Sequence, residues 1–275
     1  MEKISVFSYI DYRKFLEDYY NWRKKVDNKF SYRYFAKKAG FSNPTYYIDI
    51  VKGKKNLSDN AIEKFIKGLG LDEREAKFFK YLVKYNQAKT EEEKESYYKK
   101  LISFKLENRE DYVKLRYIKY YEKWYIPVVR EIIAVKPFKK NEVKKIASLI
   151  RPKISTKEVH YAIKILLNLS LIEEINGYYY AKPLKIEPDK FLYHQIRILH
   201  KEWIDHGKWA VENLDKDKRH VSSLILALTE DEYKKIIEYI EELRNIVKNY
   251  SLNSKKEGLK LYQLNIQFIP KTEEI

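Results

Sequence analysis

The dipeptide Asn176-Gly177 stands between two short strand-forming runs, Leu171-Ile172-Glu173-Glu174-Ile175 and Tyr178-Tyr179-Tyr180-Ala181. A type I′ turn needs positive φ at both central positions, which Asn and Gly tolerate, so this pattern specifies a tight β-hairpin. Just upstream, Ser155-x-x-Glu158 reads as a capping box ahead of Val159, Ile163, Leu166 and Leu167 at helical spacing. A helix from Thr156 to Asn168 therefore runs straight into the hairpin. Two further helical patterns precede it: a compact apolar start from Trp124 to Ile133, and Glu142 to Leu149 with Val143, Ile146, Ala147 and Ile150, closed by Pro152. Three helices and a hairpin define a domain over residues 124–188.

Helical spacing dominates the rest of the chain. Tyr12, Phe15, Leu16 and Tyr19 fall at i, i+3, i+4 and i+7, one buried face of a first helix. Ser31 caps a short helix through Phe35, Ala36 and Ala39 that ends at Gly40. Phe41-Ser42-Asn43-Pro44 is a tight turn, with Ser42 or Asn43 as N-cap and Pro44 in the first turn of a third helix reaching Val51. A basic loop, Lys52-Gly53-Lys54-Lys55-Asn56, leads to a fourth helix capped by Ser58 with Ile62, Phe65, Ile66 and Leu69 as its stripe. Asp72-x-x-Glu75 opens a fifth with Ala76, Phe79, Leu82 and Val83, and Thr90-x-x-Glu93 opens a long polar helical connector toward Tyr121.

These residues carry three resemblances. Phe35-Ala36-Lys37-Lys38-Ala39-Gly40-Phe41-Ser42, Gly53-Lys54-Lys55-Asn56-Leu57-Ser58 and Leu69-Gly70-Leu71 resemble the phage-repressor (Cro/C1-like) helix-turn-helix domain over about 55 residues. In that family the basic loop and third helix face DNA. This chain departs from the pattern by one extra residue between Gly40 and Gly53, and by Lys52 where an acidic residue is usual. Leu166-Leu167-x-x-x-Leu171-Ile172-x-x-x-x-Gly177-x-Tyr179 resembles a winged helix entering its wing. Tyr9-x-Asp11-Tyr12-Arg13-x-Phe15-Leu16, Asn86-Gln87-Ala88, Trp124-Tyr125, Val221-Ser222-Ser223 and Gln263-Leu264-Asn265 are similar to a Fibrobacter-type family of conserved bacterial proteins labelled as transcriptional regulators, across nearly the full length. That resemblance supplies no ligand or target.

Residues 189–275 read as a long helix over 189–214 with Phe191, Leu192, Ile196, Leu199, Trp203 and Leu214 to one side. A strand follows at Val221–Leu228, then a helix from Thr229 through Ile236, Ile240, Leu243 and Val247, and an alternating strand at Leu261–Ile269. The whole is mainly α with small β elements: a five-helix helix-turn-helix domain over 1–86, a helical connector over 87–123, a winged-helix-like domain over 124–188, and an α+β self-association domain over 189–275. Two strands make a marginal sheet alone, and a two-fold partner would cover their edges, so a homodimer through 189–275 is expected. The competing arrangement has these strands extend the wing or lie under the long helix within one chain.

Charge is localised. Of a net +16, residues 1–80 hold 18 basic and 11 acidic residues and residues 136–164 hold 9 and 2, so each stretch is +7. A genome rich in A and T inflates lysine everywhere, yet would not concentrate it in two stretches. The distribution suits a phosphate footprint, and solvated lysine faces are the bland alternative. With no cysteine there is no disulfide framework, thiolate nucleophile or Cys-ligated zinc. No apolar run approaches the ~18 residues of a membrane span, and Met1-Glu2-Lys3-Ile4-Ser5-Val6 lacks a signal-peptide core, so a cytoplasmic protein without a membrane partner is expected. His194, His200 and His206 are six apart, which rotates them away from one another on a helix; structural or surface roles fit better than a metal. No phosphate-cradling glycine loop, nucleophile elbow or paired catalytic motif is present, so neither an enzyme nor a cofactor is expected.

The candidate DNA contacts in the first domain are Arg33, Lys37, Lys38, Ser42, Asn43, Thr45, Tyr46, Lys52, Lys54 and Lys55, with Asp49 also outward. No Arg, Lys or Gln lies within Pro44 to Val51, so bidentate guanine reading is not offered there. In the middle domain they are Arg151, Lys153, Lys157, His160, Tyr161 and Lys164. Tyr178, Tyr179 and Tyr180 could touch a minor groove, although tyrosines alternating in a strand more often pack. The expected partner is double-stranded DNA. A protein-interaction scaffold built from the same modules and an RNA-binding protein are the alternatives. An effector, small molecule or peptide, is unknown; Trp124, Trp203 and Trp209 suit a core better than a pocket.

Overall fold

The computed structural model describes residues 4–106, 116–184, 191–253 and 258–273. It divides into two compact units, Met1–Arg116 with Glu187–Tyr193, and Tyr117–Ile186 with His194–Ile275. The architecture is mainly helical with one small antiparallel sheet.

In the first unit, α1 (Tyr12–Val26) buries Tyr12, Phe15, Leu16 and Tyr19, the face its spacing requires. Asp11 caps it, accepting from the backbone N–H of Arg13 and Lys14. α2 (Tyr32–Ala39) is capped by Ser31 and ends at Gly40, whose φ of 78° is the left-handed conformation that stops a helix without a Cβ penalty. α3 is Tyr46–Val51, shorter than the sequence pattern suggests, because Pro44 and Thr45 form a turn ahead of it. α4 (Asp59–Leu69) and α5 (Glu73–Gln87) follow, the latter opened by a complete capping box between Asp72 and Glu75. α4 crosses α2 closely. A Cβ on Gly68 would stand 2.7 Å from the Phe35 ring and 2.8 Å from the Ala39 Cβ.

The stretch expected as a polar connector is partly core. α6 (Glu91–Leu106) buries Tyr98, Leu101, Ile102 and Lys105, and Tyr98 Oη donates to the carbonyl of Phe191 at 2.5 Å. Lys105 Nζ donates to Phe7 O at 2.8 Å, so its long stem is buried while its charge is satisfied. The helical expectation for 107–115 lies outside the described residues; a 3-10 turn spans Arg116–Tyr121.

The second unit holds α7 (Tyr125–Val135), β1 (Phe138–Lys139), α8 (Val143–Leu149), α9 (Thr156–Asn168), β2 (Ile172–Ile175) and β3 (Tyr178–Ala181). The strand order is β1-β3-β2, all antiparallel, with Phe138 opposite Tyr179 and Ile175 opposite Tyr178. The order along the chain is thus helix, strand, two helices and a two-stranded hairpin. Asn176 and Gly177 have φ of 50° and 77°, the pair of positive values a type I′ turn demands. The core joins Ile126, Val129 and Ile133 of α7 to Ile146 of α8, Val159, Ala162, Ile163 and Leu166 of α9, and Phe138 and Tyr179 of the sheet.

Among the described residues α10 (Leu192–Asn213), a 3-10 turn at Lys216–Lys218 and α11 (Glu230–Asn253) follow. The expected strands at Val221–Leu228 and Leu261–Ile269 are neither helix nor strand and join no ladder among the described residues. Alternation suits a strand; a ladder also needs a partner edge, and the described residues offer none there. No described helix is long and apolar enough to cross a membrane.

Candidate nucleic-acid interface

Two surfaces gather the candidate residues, one in each unit. In the first, Arg33, Lys37 and Lys38 project from the exposed side of α2, and Lys52 and Lys54 from the loop after α3. None of these five cations has an ion-pair partner among the described residues, so their charge is available to a polyanion. Lys55 differs. Its ammonium pairs with Asp49 Oδ2 at 3.0 Å, which spends the outward carboxylate of α3 as well.

The turn before α3 is built by Asn43, whose Oδ1 accepts from Thr45 N at 2.9 Å and Thr45 Oγ1 at 2.8 Å. Ser42, Asn43 and Thr45 are exposed. Tyr46 is not fully outward: it is half-buried, with its ring 4.9 Å from Phe41 and 6.3 Å from Phe65. Tyr47 is the inward anchor, donating to Leu16 O at 2.6 Å, and burial pushes its hydroxyl well above its ordinary range, so it remains a donor.

Sequence reasoning missed the residue that holds the basic loop. Arg13 on α1 donates through Nη1 to the carbonyls of Ile50 and of Lys55, the latter at 3.0 Å, and through Nη2 to Asn56 Oδ1 at 2.7 Å. The planar fork suits this task, since one guanidinium reaches three acceptors at fixed angles. The loop's far end is held by Gln87, which accepts from Leu57 N at 2.8 Å and donates to Leu57 O at 2.9 Å, while Tyr12 Oη donates to the same Oε1 at 2.9 Å. Asn86 secures the start of α1 through Tyr12 N and Ile10 O. The available signal was an arginine beside a buried tyrosine on an apolar helix face, and a paired amide at a helix end.

In the second unit, α9 begins with the expected capping box, Ser155 N to Glu158 Oε2 at 2.7 Å and Glu158 N to Ser155 Oγ at 3.3 Å. Lys157, His160 and Lys164 are all exposed, and their spacing of i, i+3 and i+7 lays them along one stripe. His160 Nδ1 donates to Thr156 O at 2.8 Å, since a carbonyl can only accept. Arg151 and Lys153 are exposed just before the helix, with Arg151 Nη1 bound to the carbonyls of Ser148 and Ile150 at 2.8 Å. Tyr161 does not join the stripe. It is half-buried, and its hydroxyl donates to Glu122 Oε2 at 3.0 Å.

On the hairpin, Tyr179 is buried in the core and Tyr180 faces outward. Its carboxylates are neutralised, Glu174 by Lys140 at 3.1 Å and Glu173 by Lys182 at 2.7 Å. No group of His, Asp and Glu suited to a metal occurs among the described residues.

Fold and surface together define a mainly helical protein with, among the described residues, one small antiparallel sheet and exposed cations in both units. The chain belongs to the family described as Domain of unknown function (DUF4423), whose model matches residues 103–270, more than half of the chain. No curated protein and no solved structure matches it.

Proposed function

We propose that this protein is a DNA-binding transcriptional regulator whose α9 enters the major groove, with the α2 and Lys52–Lys54 surface adding phosphate contacts. One observation carries the reading: the stripe of Lys157, His160 and Lys164 on the outward face of a capped helix that packs its other face into the core of the second unit. At thirteen residues α9 is about 20 Å long, enough to lie in a groove about 12 Å wide. Lysines neutralise phosphates, and His160 can contact a base edge. The regulator label of the resembled Fibrobacter-type family agrees with this. A protein-interaction role for the first unit is favoured by one feature, the six-residue α3 whose Tyr46 is partly packed away. A cytoplasmic location accords with the reading.

The test is fluorescence anisotropy with random-sequence duplex DNA over a salt series, with structured RNA as competitor. Binding that weakens steeply with salt, and is competed poorly by RNA, is expected. Salt-independent or absent binding overturns the proposal, and preferential competition by RNA replaces it with an RNA-binding role.

A further inference from the structure

Among the described residues, none after Leu199 is buried. α11 has twenty-four residues and, among those whose side chains are described, not one is buried. The segments that flank it, 221–228 and 259–269, form no backbone hydrogen bond to any described residue except through the turn at Thr229. In the later segment Phe268 stacks on Tyr233 of α11 at 5.1 Å, and the residues before it are more open. Gln263 and Asn265 face α10, at 3.3 Å to His206 Nδ1 and 2.7 Å to Trp203 O, while Tyr262, Leu264 and Ile266 on the opposite face are 85%, 54% and 39% exposed. In the earlier segment Leu224 and Ile225 are 78% and 86% exposed. Strands that stay free at an edge carry charged residues to prevent pairing. Residues 221–229 and 261–269 carry none.

We infer that this region is a homodimer interface in which α11 packs antiparallel against α11 of a second copy, centred on Leu243. The proposal goes beyond DNA binding and does not depend on it. The sequence of α11 is self-complementary about that residue. Antiparallel pairing centred there sets Ile236 opposite Tyr250, Tyr239 opposite Val247, Ile240 opposite Ile246, and Leu243 opposite itself, so these seven apolar residues meet apolar ones, while Ile237 falls opposite Asn249 and Leu252 opposite Lys234. The same register sets Glu238 opposite Lys248 and Glu242 opposite Arg244. The acidic first half of the helix thus faces the basic second half. A partner of different sequence would not require this symmetry. A polyanion would be repelled by the acidic half, and residues 221–273 hold eight basic and eight acidic residues, so two copies do not repel.

The area is sufficient. Sixteen large apolar side chains between Val221 and Ile269 are more than a third exposed, five on α11 and eleven on the flanking segments, and an interface that covers both removes on the order of 1,000 Å² per chain from water. A stable interface takes about 800 Å² per partner. The flanking segments of one copy then find their missing edges on the other.

The test is light scattering and sedimentation of the full chain at micromolar concentration, with circular dichroism as the check on folding. The wild type is expected to be a dimer. Leu243→Asp sets two carboxylates against each other at the two-fold axis and should weaken dimerisation by at least about 100-fold while helicity persists. If that variant fails to fold, the charge-reversed pair decides: E238K/E242K and R244E/K248E should each dimerise poorly alone and form a heterodimer when mixed. A monomeric wild type, an unimpaired folded L243D, or reversed variants that show no preference for each other overturns the proposal.

Discussion

Replacing Arg13 with Ala should loosen the basic loop far more than it unfolds the protein. The guanidinium serves three acceptors, the carbonyls of Ile50 and Lys55 and the side chain of Asn56, and stacks over Tyr12 at 4.9 Å. A hydrogen bond from a charged donor is worth about 1.5–3 kcal/mol, and a carbonyl left unsatisfied in a buried place costs about 1–3 kcal/mol. Ile50 is fully buried, so its carbonyl pays most of that cost; the contacts to Lys55 and Asn56 are exposed and count for less. The sum is about 2–4 kcal/mol in favour of the open loop, or about one and a half to three orders of magnitude in its population. Trypsin cuts after Lys52, Lys54 and Lys55 only when the loop opens, so limited proteolysis reads that population directly. Cleavage there should rise at least about 10-fold in R13A. R13K should fall between, since one ammonium cannot span three acceptors. Unchanged cleavage in R13A, with the variant folded, would show that the clamp does not order the loop.

Lys52→Ala with Lys54→Ala should reduce the salt slope of duplex binding by up to about 2, at about 0.9 for each phosphate no longer neutralised, whereas Lys55→Ala, whose ammonium already faces Asp49, should change it less. Lys157→Ala and Lys164→Ala should weaken duplex binding with melting temperature unchanged, and His160→Ala should alter the ranking of sequences in a site-selection assay. Gly68→Ala should destabilise the first unit by about 1–3 kcal/mol in urea unfolding, because its Cβ would stand 2.7 Å from the Phe35 ring. Burial holds His206 below its ordinary 6.5, outweighing the Gln263 hydrogen bond, so the folded state disfavours the proton. Stability is then full above that value and declines as pH falls through it toward the lower folded pKa; a melting temperature independent of pH in that window, or the same decline in His206→Gln, would refute this.

Much of the fold was legible because local signals agreed with tertiary ones. Ser31, Ser58, Asp72 and Ser155 all cap the helices their positions announce, and Asn176-Gly177 makes the turn its composition demands. α3 is assigned from Tyr46, two residues after Pro44, while Asn43 Oδ1 accepts from Thr45 N as an N-terminal cap does and Thr45 O already accepts from Asp49 N. The connector was misjudged. α6 looks polar because its acidic first turn hides that Tyr98, Leu101, Ile102 and Lys105 lie inward.

The candidate site was legible in composition and less so in geometry. Counting lysines finds Lys37, Lys38, Lys52 and Lys54, but only the folded chain separates these from Lys55, which is neutralised by a residue six positions earlier. Tyr161 and His160 are neighbours in sequence, and one turns to Glu122 while the other faces out, a difference of about 100° around the helix that decides which can reach a ligand. The segments around α11 carry the sharpest lesson. Period-2 alternation specifies that one face is apolar; it does not specify which chain covers that face. At 262–266 the amides of Gln263 and Asn265 turn to α10 while Tyr262, Leu264 and Ile266 stay exposed, and among the described residues only Phe268 on that apolar side packs within the chain, against Tyr233. That exposed apolar side, not the alternation, is what points to a second molecule.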